Sequence, residues 1–204
     1  MKTKEIIEKN LKWIAVFICL VLAIGIAEDV LDNEINKLDF AGYNFISEHL
    51  ISDNVTPIVK AITQFGGEIF LILFAIILLA VLKNKKTGFL IWLNLGISAL
   101  INQILKRIIQ RPRPTEFRIV DASGYSFPSG HSMVSAAFYG FIIYLIYKNV
   151  DNKYLKWTLI TVLGLLVILI GASRIYLGVH YTSDVLAGFL IAISYLIIFV
   201  TATK

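Results

Sequence analysis

The sequence predicts an all-α fold: one integral membrane domain over residues 1–204, built as a bundle of six transmembrane helices. Two observations support this prediction. Hydrophobic residues make up 57% of the chain and charged residues only 16%, whereas roughly a quarter of the residues of a soluble domain are charged. The apolar residues also come in long runs, near the ~20 residues that a helix needs to cross a bilayer.

The six predicted spans follow one another with polar loops between them. In chain order they are residues 13–27, 67–82, 88–105, 132–147, 157–172 and 183–202. The first has an alternative interpretation as a secretory signal peptide, because lysines between Lys2 and Lys12 precede it. A first span is favoured, since Glu28, Asp29 and further apolar runs follow it instead of a cleavage site of small residues.

Residues 31–60, between the first two spans, are amphipathic at best. Their apolar residues include Leu38, Phe40, Tyr43, Phe45, Ile46 and Leu50. These residues allow a short helix that lies along the membrane surface, and residues 54–57 are then a turn towards the second span. A plain connector is favoured over a segment that gates substrate.

The lysines predict the orientation of the bundle. Six spans place both termini on one side, and lysines are abundant there, at the N-terminus and in loops 83–86 and 148–156. Lysine and arginine enrichment marks cytoplasmic loops. Both termini are therefore predicted to be cytoplasmic, and the loops at the opposite end extracytoplasmic.

The loop after the third span contradicts this charge rule. It contains Lys106, Arg107, Arg111, Arg113 and Arg118. Membrane topology does not predict five cations on the outer face, but an anionic ligand does. Nucleic acid is excluded as that ligand, because the arginines lie at the ends of membrane spans. The expected partners are the bilayer and an anionic ligand, and no oligomeric state is predicted.

The first polar cluster is Lys106-x6-Arg113-Pro114. Lys106 closes the third span, and Pro112 and Pro114 prevent a helix from continuing past Arg111. Arginine offers a planar fork that matches phosphate oxygens, and lysine offers a compact charge. Arg111 flanks the cluster and is expected to contact a headgroup. Taken alone, the cluster is better interpreted as a basic anchor at the membrane surface.

The second cluster is Pro128-Ser129-Gly130-His131. Proline and serine are good residues for a helix start, so Gly130 and His131 are predicted in the first turn of the fourth span. Free amides at such a helix start form an anion site, and Gly130 allows an oxygen to approach the backbone. Ser129 can add a hydroxyl donor, and His131 can give a proton to a leaving oxygen. An N-cap with an incidental histidine is an equally good interpretation of this cluster alone.

The third cluster is Ser173-Arg174-x5-His180-x3-Asp184. A helix that starts near His180 places His180 and Asp184 on one face. Asp184 can then accept a hydrogen bond from one ring nitrogen and leave the other as a nucleophile. A structural histidine–carboxylate pair is the alternative. All three clusters are predicted on the same side of the membrane, which favours a common phosphate site over three unrelated features.

The three clusters together resemble the three-part signature of the type 2 phosphatidic acid phosphatase (PAP2) superfamily, which also contains vanadium haloperoxidases and glucose-6-phosphatase. The match is complete in residue type, spacing and order between Lys106 and Asp184. The resemblance implies that residues 1–204 are one PAP2-like transmembrane phosphatase domain.

The resemblance also implies a role for each residue. His180 attacks phosphorus, Asp184 orients His180, and His131 protonates the leaving lipid oxygen. The phosphate oxygens are bound by Lys106, Arg113, Ser129, Gly130 and Arg174. Members of the superfamily need no metal for this reaction, so neither a metal nor another cofactor is expected.

The expected activity is hydrolysis of a lipid phosphate or pyrophosphate through a phosphohistidine, at an active site on the extracytoplasmic face. Undecaprenyl pyrophosphate is the first choice of substrate, and phosphatidylglycerol phosphate and phosphatidic acid are the alternatives. A vanadate-dependent haloperoxidase and a non-enzymatic lipid or anion transporter are less favoured, because the chain has six predicted spans and no internal repeat.

Overall fold

The computed structural model describes residues 2–32, 37–115 and 118–203, and over these ranges it contains helices and no strands. The helices are α1 (Lys2–Leu31), α2 (Lys37–His49), α3 (Thr56–Gln64), α4 (Glu68–Val81), α5 (Lys85–Ile109), α6 (Gly130–Asn149), α7 (Lys153–Tyr176) and α8 (Thr182–Ala202). The predicted all-α membrane fold is therefore confirmed.

Five of the described helices are long and apolar enough to cross a bilayer by themselves: α1 from Asn10 onwards, α5, α6, α7 and α8. The second predicted span, residues 67–82, corresponds to α4, which has only 14 residues. At a rise of about 1.5 Å per residue, α4 is shorter than the ~30 Å hydrocarbon core. It reaches the required length only together with α3, from which it is bent by 47°. The described residues therefore contain five spans, or the predicted six if α3 and α4 together form one bent span.

The interruption lies at Phe65, Gly66 and Gly67. Their amides donate to the carbonyls of Ile62, Thr63 and Gln64, three residues earlier, at 2.9 to 3.2 Å. Gly66 is buried against Ile170 of α7, and a Cβ atom on Gly66 would lie 2.5 Å from Ile170 Cγ2. The chain turns here because α7 leaves room for a backbone but not for a side chain.

Residues 31–60 fold into α2, a turn and the beginning of α3. The buried face of α2 carries Asp39 and Ile46, and Ile46 packs with Ile175, Tyr176 and Leu177 at the end of α7. Leu38, Phe40 and Phe45 are exposed on the same helix. The predicted short amphipathic helix is present, and its contact with the membrane surface stays a prediction.

The bundle has two chemically different ends. The C-terminal ends of α5 and α7 and the N-terminal ends of α6 and α8 meet at one end, around a shared cavity. Near the other end, Lys12 Nζ of α1 donates to Thr201 Oγ1 of α8 at 3.3 Å, so both chain ends lie away from the cavity. The cytoplasmic location of the termini stays a prediction.

Candidate active site

A cavity of about 900 Å³ opens where the four helix ends meet. Six of the eight predicted site residues line it: Lys106, Arg113, Gly130, His131, Arg174 and His180. The other two, Ser129 and Asp184, have no exposed surface and lie behind the cavity wall. The structure thus brings three clusters that are distant in sequence into one site.

His180 lies in the turn before α8, not in a helix as the sequence analysis expected. The helix begins two residues later, at Thr182. The predicted contact nevertheless forms, with His180 Nδ1 3.2 Å from Asp184 Oδ2. Asp184 reaches back because it occupies the third position of α8, where its Oδ2 also accepts the backbone N–H of Tyr181 at 2.9 Å. The carboxylate therefore caps the helix and holds the imidazole with the same oxygen.

Arg113 identifies the tautomer of His180. Its Nη1 lies 3.0 Å from His180 Nε2, and a guanidinium can only donate hydrogen bonds. Nε2 must then be the acceptor, so the ring proton is on Nδ1 and is donated to Asp184. Burial, with a smaller contribution from Arg113 and Lys106 against the opposing effect of Asp184, lowers the pKa of His180 to about 4. At neutral pH the ring is uncharged, with a lone pair on Nε2.

The cations Arg113 and Lys106 also fasten the loop that precedes α6. Arg113 Nε donates to the carbonyls of Ser123 and Gly124 at 3.2 and 3.0 Å, and Nη1 donates to Val179 O at 2.9 Å. Lys106 Nζ donates to Ser126 O at 3.2 Å. Both charged groups are fixed by backbone carbonyls, and among the described residues neither forms a salt bridge with a carboxylate. Their positive charge therefore suits an anion.

The start of α6 lies as predicted, with Ser129 as the N-cap and Gly130 as the first helical residue. Ser129 Oγ accepts from Ser132 N at 3.4 Å, and Ser129 N donates to Asp184 O at 3.0 Å. The hydroxyl of Ser129 thus serves the helix start in this structure. The first amides of a helix have no partner within it, so this end presents donors to the cavity that Gly130 and His131 line.

Arg174 contributes from the last turn of α7. Its Nη1 donates to Thr63 Oγ1 of α3 at 2.6 Å. Its Nε is buried and has no hydrogen-bond partner among the described residues. A buried donor without an acceptor is costly, so an anion that accepts from Arg174 Nε would remove this cost.

Two contacts of Asp184 were missed by the sequence analysis. Ser126 Oγ donates to Asp184 Oδ2 and lies 3.3 Å from His180 Nδ1. Arg111 Nη1 donates to Asp184 Oδ1 at 2.7 Å, and Arg111 Nη2 donates to Asp39 Oδ2 of α2 at 2.7 Å. The expectation that Arg111 contacts a headgroup is not met, because its guanidinium is buried between two carboxylates outside the large cavity.

These contacts gave only a weak signal in the sequence. Arg111 stands beside Pro112 and is indistinguishable in type from its neighbour Arg113. Asp39 shares one face of α2 with Gly42 and Ile46, at the helical spacing of three and four residues. The position of Asp39 on the apolar face of an amphipathic helix was the one feature of the sequence that indicated a buried basic partner.

Over the described ranges, no group of three or more His, Cys, Asp or Glu side chains is placed to hold a metal ion. The expectation of a metal-free reaction is not tested by this geometry and stays a prediction.

Residues 87–204 match the model of the PAP2 superfamily. The chain is 39% identical to phosphatidylglycerophosphatase B of Bacillus subtilis over 66% of its own length and 68% of that protein. It is 26% identical to undecaprenyl-diphosphatase of Sulfolobus acidocaldarius over 94% of its own length and 91% of that protein.

Two crystal structures resemble the fold. The first is a transmembrane PAP2-type phosphatidylglycerolphosphate phosphatase from Bacillus subtilis, with a TM-score of 0.78, 28% identity and coverage of 94% of both chains. The second is Aquifex aeolicus LpxE, with a TM-score of 0.67 and 22% identity over 82% of this chain and 98% of that one. The second likeness concerns the fold alone.

Proposed function

Because this chain belongs to the PAP2 superfamily, we propose that it is a membrane phosphatase that hydrolyses the phosphate monoester of phosphatidylglycerol phosphate through a phosphohistidine intermediate. The assignment to the lipid phosphatases rests on the family and its curated relatives. One observation supports the mechanism above the others: the unprotonated Nε2 of His180 lies in a cavity lined by Lys106, Arg113 and Arg174.

In the first step, His180 Nε2 attacks phosphorus and a P–N bond forms. The bond between phosphorus and the lipid oxygen breaks, and His131 gives a proton to that oxygen, so the lipid leaves as an alcohol. Asp184 keeps the imidazole oriented and stabilises the positive charge that the ring acquires.

In the second step, water attacks the phosphohistidine. His131, now unprotonated, takes a proton from the water as the P–N bond breaks, and inorganic phosphate leaves. Three cations and the amides at the start of α6 face the oxygens that carry negative charge in both transition states. Fixed donors of this kind, already oriented before reaction, are often the largest contribution to catalysis.

The shape of the cavity supports a lipid substrate. One side of α5 lines it from Trp92 through Leu95 and Ala99 to Lys106, a distance of about 21 Å along the helix. Leu71 and Ile72 of α4 and Val134 of α6 form the facing walls. The cationic end is therefore continuous with a groove whose lining is mostly apolar but includes Glu68, Asn102 and Gln103. We propose that a lipid chain lies in this groove.

The choice of substrate differs from the expectation drawn from the sequence. Undecaprenyl pyrophosphate was the first choice, but identity is higher to phosphatidylglycerophosphatase B, at 39%, than to undecaprenyl-diphosphatase, at 26%. Undecaprenyl pyrophosphate remains the second candidate, because that relative aligns over nearly the whole chain. The extracytoplasmic position of the active site is part of the proposal and rests on the lysine-rich loops at the opposite end.

The test is phosphate release by the purified chain in detergent from phosphatidylglycerol phosphate, undecaprenyl pyrophosphate and phosphatidic acid. We expect the highest kcat/KM on phosphatidylglycerol phosphate. A preference for undecaprenyl pyrophosphate would select the second candidate, and no release from any of the three would refute the proposed function.

A further inference from the structure

A buried chain of charges connects the catalytic pair to α2, a helix outside the three sequence clusters. Asp184 Oδ1 accepts from Arg111 Nη1 at 2.7 Å, and Asp39 Oδ2 accepts from Arg111 Nη2 at 2.7 Å. Asp184, Asp39 and Arg111 are 0%, 3% and 8% exposed. Charges that are buried to this extent interact strongly. Removal of one partner destabilises the fold, because it leaves the other charge buried without compensation.

The guanidinium of Arg111 is held on every side. Besides the two carboxylates, its Nη1 donates to Ser183 Oγ at 2.7 Å, and its Cζ lies 3.9 Å from the centre of the Tyr181 ring. Asp39 Oδ1 additionally accepts the backbone N–H of Ser183 at 2.8 Å. Asp39 and Arg111 thus both form hydrogen bonds with the first turn of α8, which also contains Asp184.

The two oxygens of Asp184 divide their contacts. Oδ1 faces Arg111, while Oδ2 faces His180 Nδ1, Ser126 Oγ and the amide of Tyr181. The bond to Arg111 prevents rotation of the carboxylate and so keeps Oδ2 directed at the imidazole. Asp39, in turn, determines where the guanidinium of Arg111 lies.

A close contact docks α2 at the same place. A Cβ atom on Gly42 would lie 2.1 Å from Thr182 Oγ1, so the backbone of α2 rests directly on the start of α8. Asp39 and Gly42 are three residues apart and share one face of α2. The helix therefore meets α8 at two neighbouring points, the hydrogen bond from Ser183 N to Asp39 and the close approach of Gly42 to Thr182.

From this geometry we infer that Asp39 and Arg111 are positioning residues for the phosphatase reaction, and that α2 orients the His180–Asp184 pair through them. The inference rests on the proposed function, in which His180 is the nucleophile. The competing explanation is that the ion chain only holds α2 on the bundle and leaves the chemistry unaffected.

The variants differ in the net charge of this three-residue chain, and that charge should change the titration midpoint of His180 in a defined order. The chain Asp39, Arg111 and Asp184 has a net charge of −1, which becomes 0 in Asp39→Asn, −2 in Arg111→Gln and −1 in the double variant. Negative charge near His180 favours its protonated form. The other groups that face His180, namely Arg113, Lys106, Ser126, Arg174 and His131, are the same in all four proteins.

The experiment is ¹⁵N NMR of the full chain in micelles with labelled histidine. The chain has only three histidines, and variants at His49 and His131 assign the His180 signals. For His180 we expect the titration midpoint to be lowest in Asp39→Asn, intermediate in wild type and the double variant, and highest in Arg111→Gln. This readout needs no substrate, so it is independent of whether the proposed function is correct.

Kinetics supply the second readout. We expect Asp39→Asn to lower kcat on phosphatidylglycerol phosphate by about 10- to 100-fold, the range for loss of a partner that orients a reacting group, with KM nearly unchanged. Asp53→Asn, an exposed carboxylate in the turn after α2, is the matched control and should match wild type.

The inference is overturned if Asp39→Asn folds and keeps kcat within about twofold of wild type, whether or not the His180 midpoint moves. Should Arg111→Gln not fold, the comparison of Asp39→Asn with the double variant still decides, because those two differ by one charge. An inactive wild type in which the His180 midpoints follow the expected order would refute the proposed function, and with it a role in phosphate release. It would leave standing only the coupling of Asp39 and Arg111 to His180.

Discussion

His180 combines several properties at one residue. It is 4% exposed, its Nδ1 is directed at Asp184, and its Nε2 accepts a hydrogen bond from Arg113. The low pKa, caused chiefly by burial, keeps the ring uncharged at neutral pH. An uncharged imidazole with its proton on the far nitrogen is the form that a nucleophile needs.

Replacement of the proposed nucleophile should eliminate turnover. We expect His180→Ala to lower phosphate release by at least about 10³-fold, since no other route to a covalent intermediate remains, with the helical CD spectrum unchanged. His49→Ala is the matched control, because His49 is exposed on α2 and its ring contacts only Phe45 among the hydrogen-bond partners described. Turnover of His180→Ala within a few-fold of wild type would show that another residue is the nucleophile.

Arg113 should determine the acid limit of activity. Because Arg113 helps to lower the pKa of His180, Arg113→Gln should raise it, and the ring should then become protonated at a higher pH. The acid limb of kcat/KM should move towards neutral pH relative to wild type on the same substrate, so that titration of the substrate phosphate is common to both profiles. An unchanged limb, or one displaced to lower pH, would argue against this electrostatic role.

The sequence indicated those site residues that belong to local motifs, but not those that meet only through tertiary packing. Lys106, Arg113, His131, Arg174, His180 and Asp184 each belong to a cluster with fixed spacing, and the structure brings them close together. Their roles in catalysis and phosphate binding stay predictions. The pairing of Asp39 with Arg111 was not recognised, because it depends on how α2 packs against α8. Local patterns contain no information about a contact between residues so far apart in the chain.

At the scale of elements, the break between α3 and α4 brings backbone close to the site. Thr63, just before the break, accepts the hydrogen bond from Arg174, and Gly66, in the break, faces His131. The sequence predicted an apolar span starting at Gly67 and missed α3, because hydropathy identifies apolar length but not a change in helix direction.

A side chain at the break should disturb both packing and catalysis. A Cβ atom on Gly66 would lie 2.5 Å from Ile170 Cγ2 and 3.3 Å from His131 Cδ2. We expect Gly66→Ala to cost about 1–3 kcal/mol of stability, as overpacked cores do, and to lower kcat. Thermal unfolding in detergent and phosphate release measure the two effects.

Gly25→Ala is the control for that substitution, since no atom lies within 4 Å of a Cβ atom there. Gly25 is inside α1, where alanine is more favourable than glycine by about 0.5–1 kcal/mol. Equal stability of the Gly66→Ala and Gly25→Ala variants would contradict the steric account of the break.

At the scale of the whole molecule, two groups of basic residues lie at opposite ends of the bundle. The cations that we propose to bind phosphate lie at the end where α5, α6, α7 and α8 meet around the cavity, and the lysine-rich 83–86 and 148–156 loops lie at the other. The sequence predicted this division from charge alone. It did not predict the broken span, because the packing of Gly66 against α7 is a tertiary effect.

The orientation of the bundle can be tested by labelling single cysteines. In a background with Cys19 replaced by serine, Asp53→Cys at the cavity end should react with a membrane-impermeant maleimide in intact cells. Asp151→Cys in the 148–156 loop should react only after permeabilisation. The opposite pattern would place the active site on the cytoplasmic face.

The hydrogen bond from Arg113 to His180 Nε2 has a consequence for selectivity. In the resting protein the reactive lone pair is already occupied by a cation. A neutral electrophile does not attract the Arg113 guanidinium, so the hydrogen bond to His180 Nε2 stays in place and blocks the lone pair. A phosphoryl group draws the guanidinium onto its own oxygens and so exposes the atom that attacks it. We therefore expect neutral alkylating and acylating reagents to react slowly with His180 in the resting protein, and a negatively charged substrate to free Nε2 by attracting Arg113.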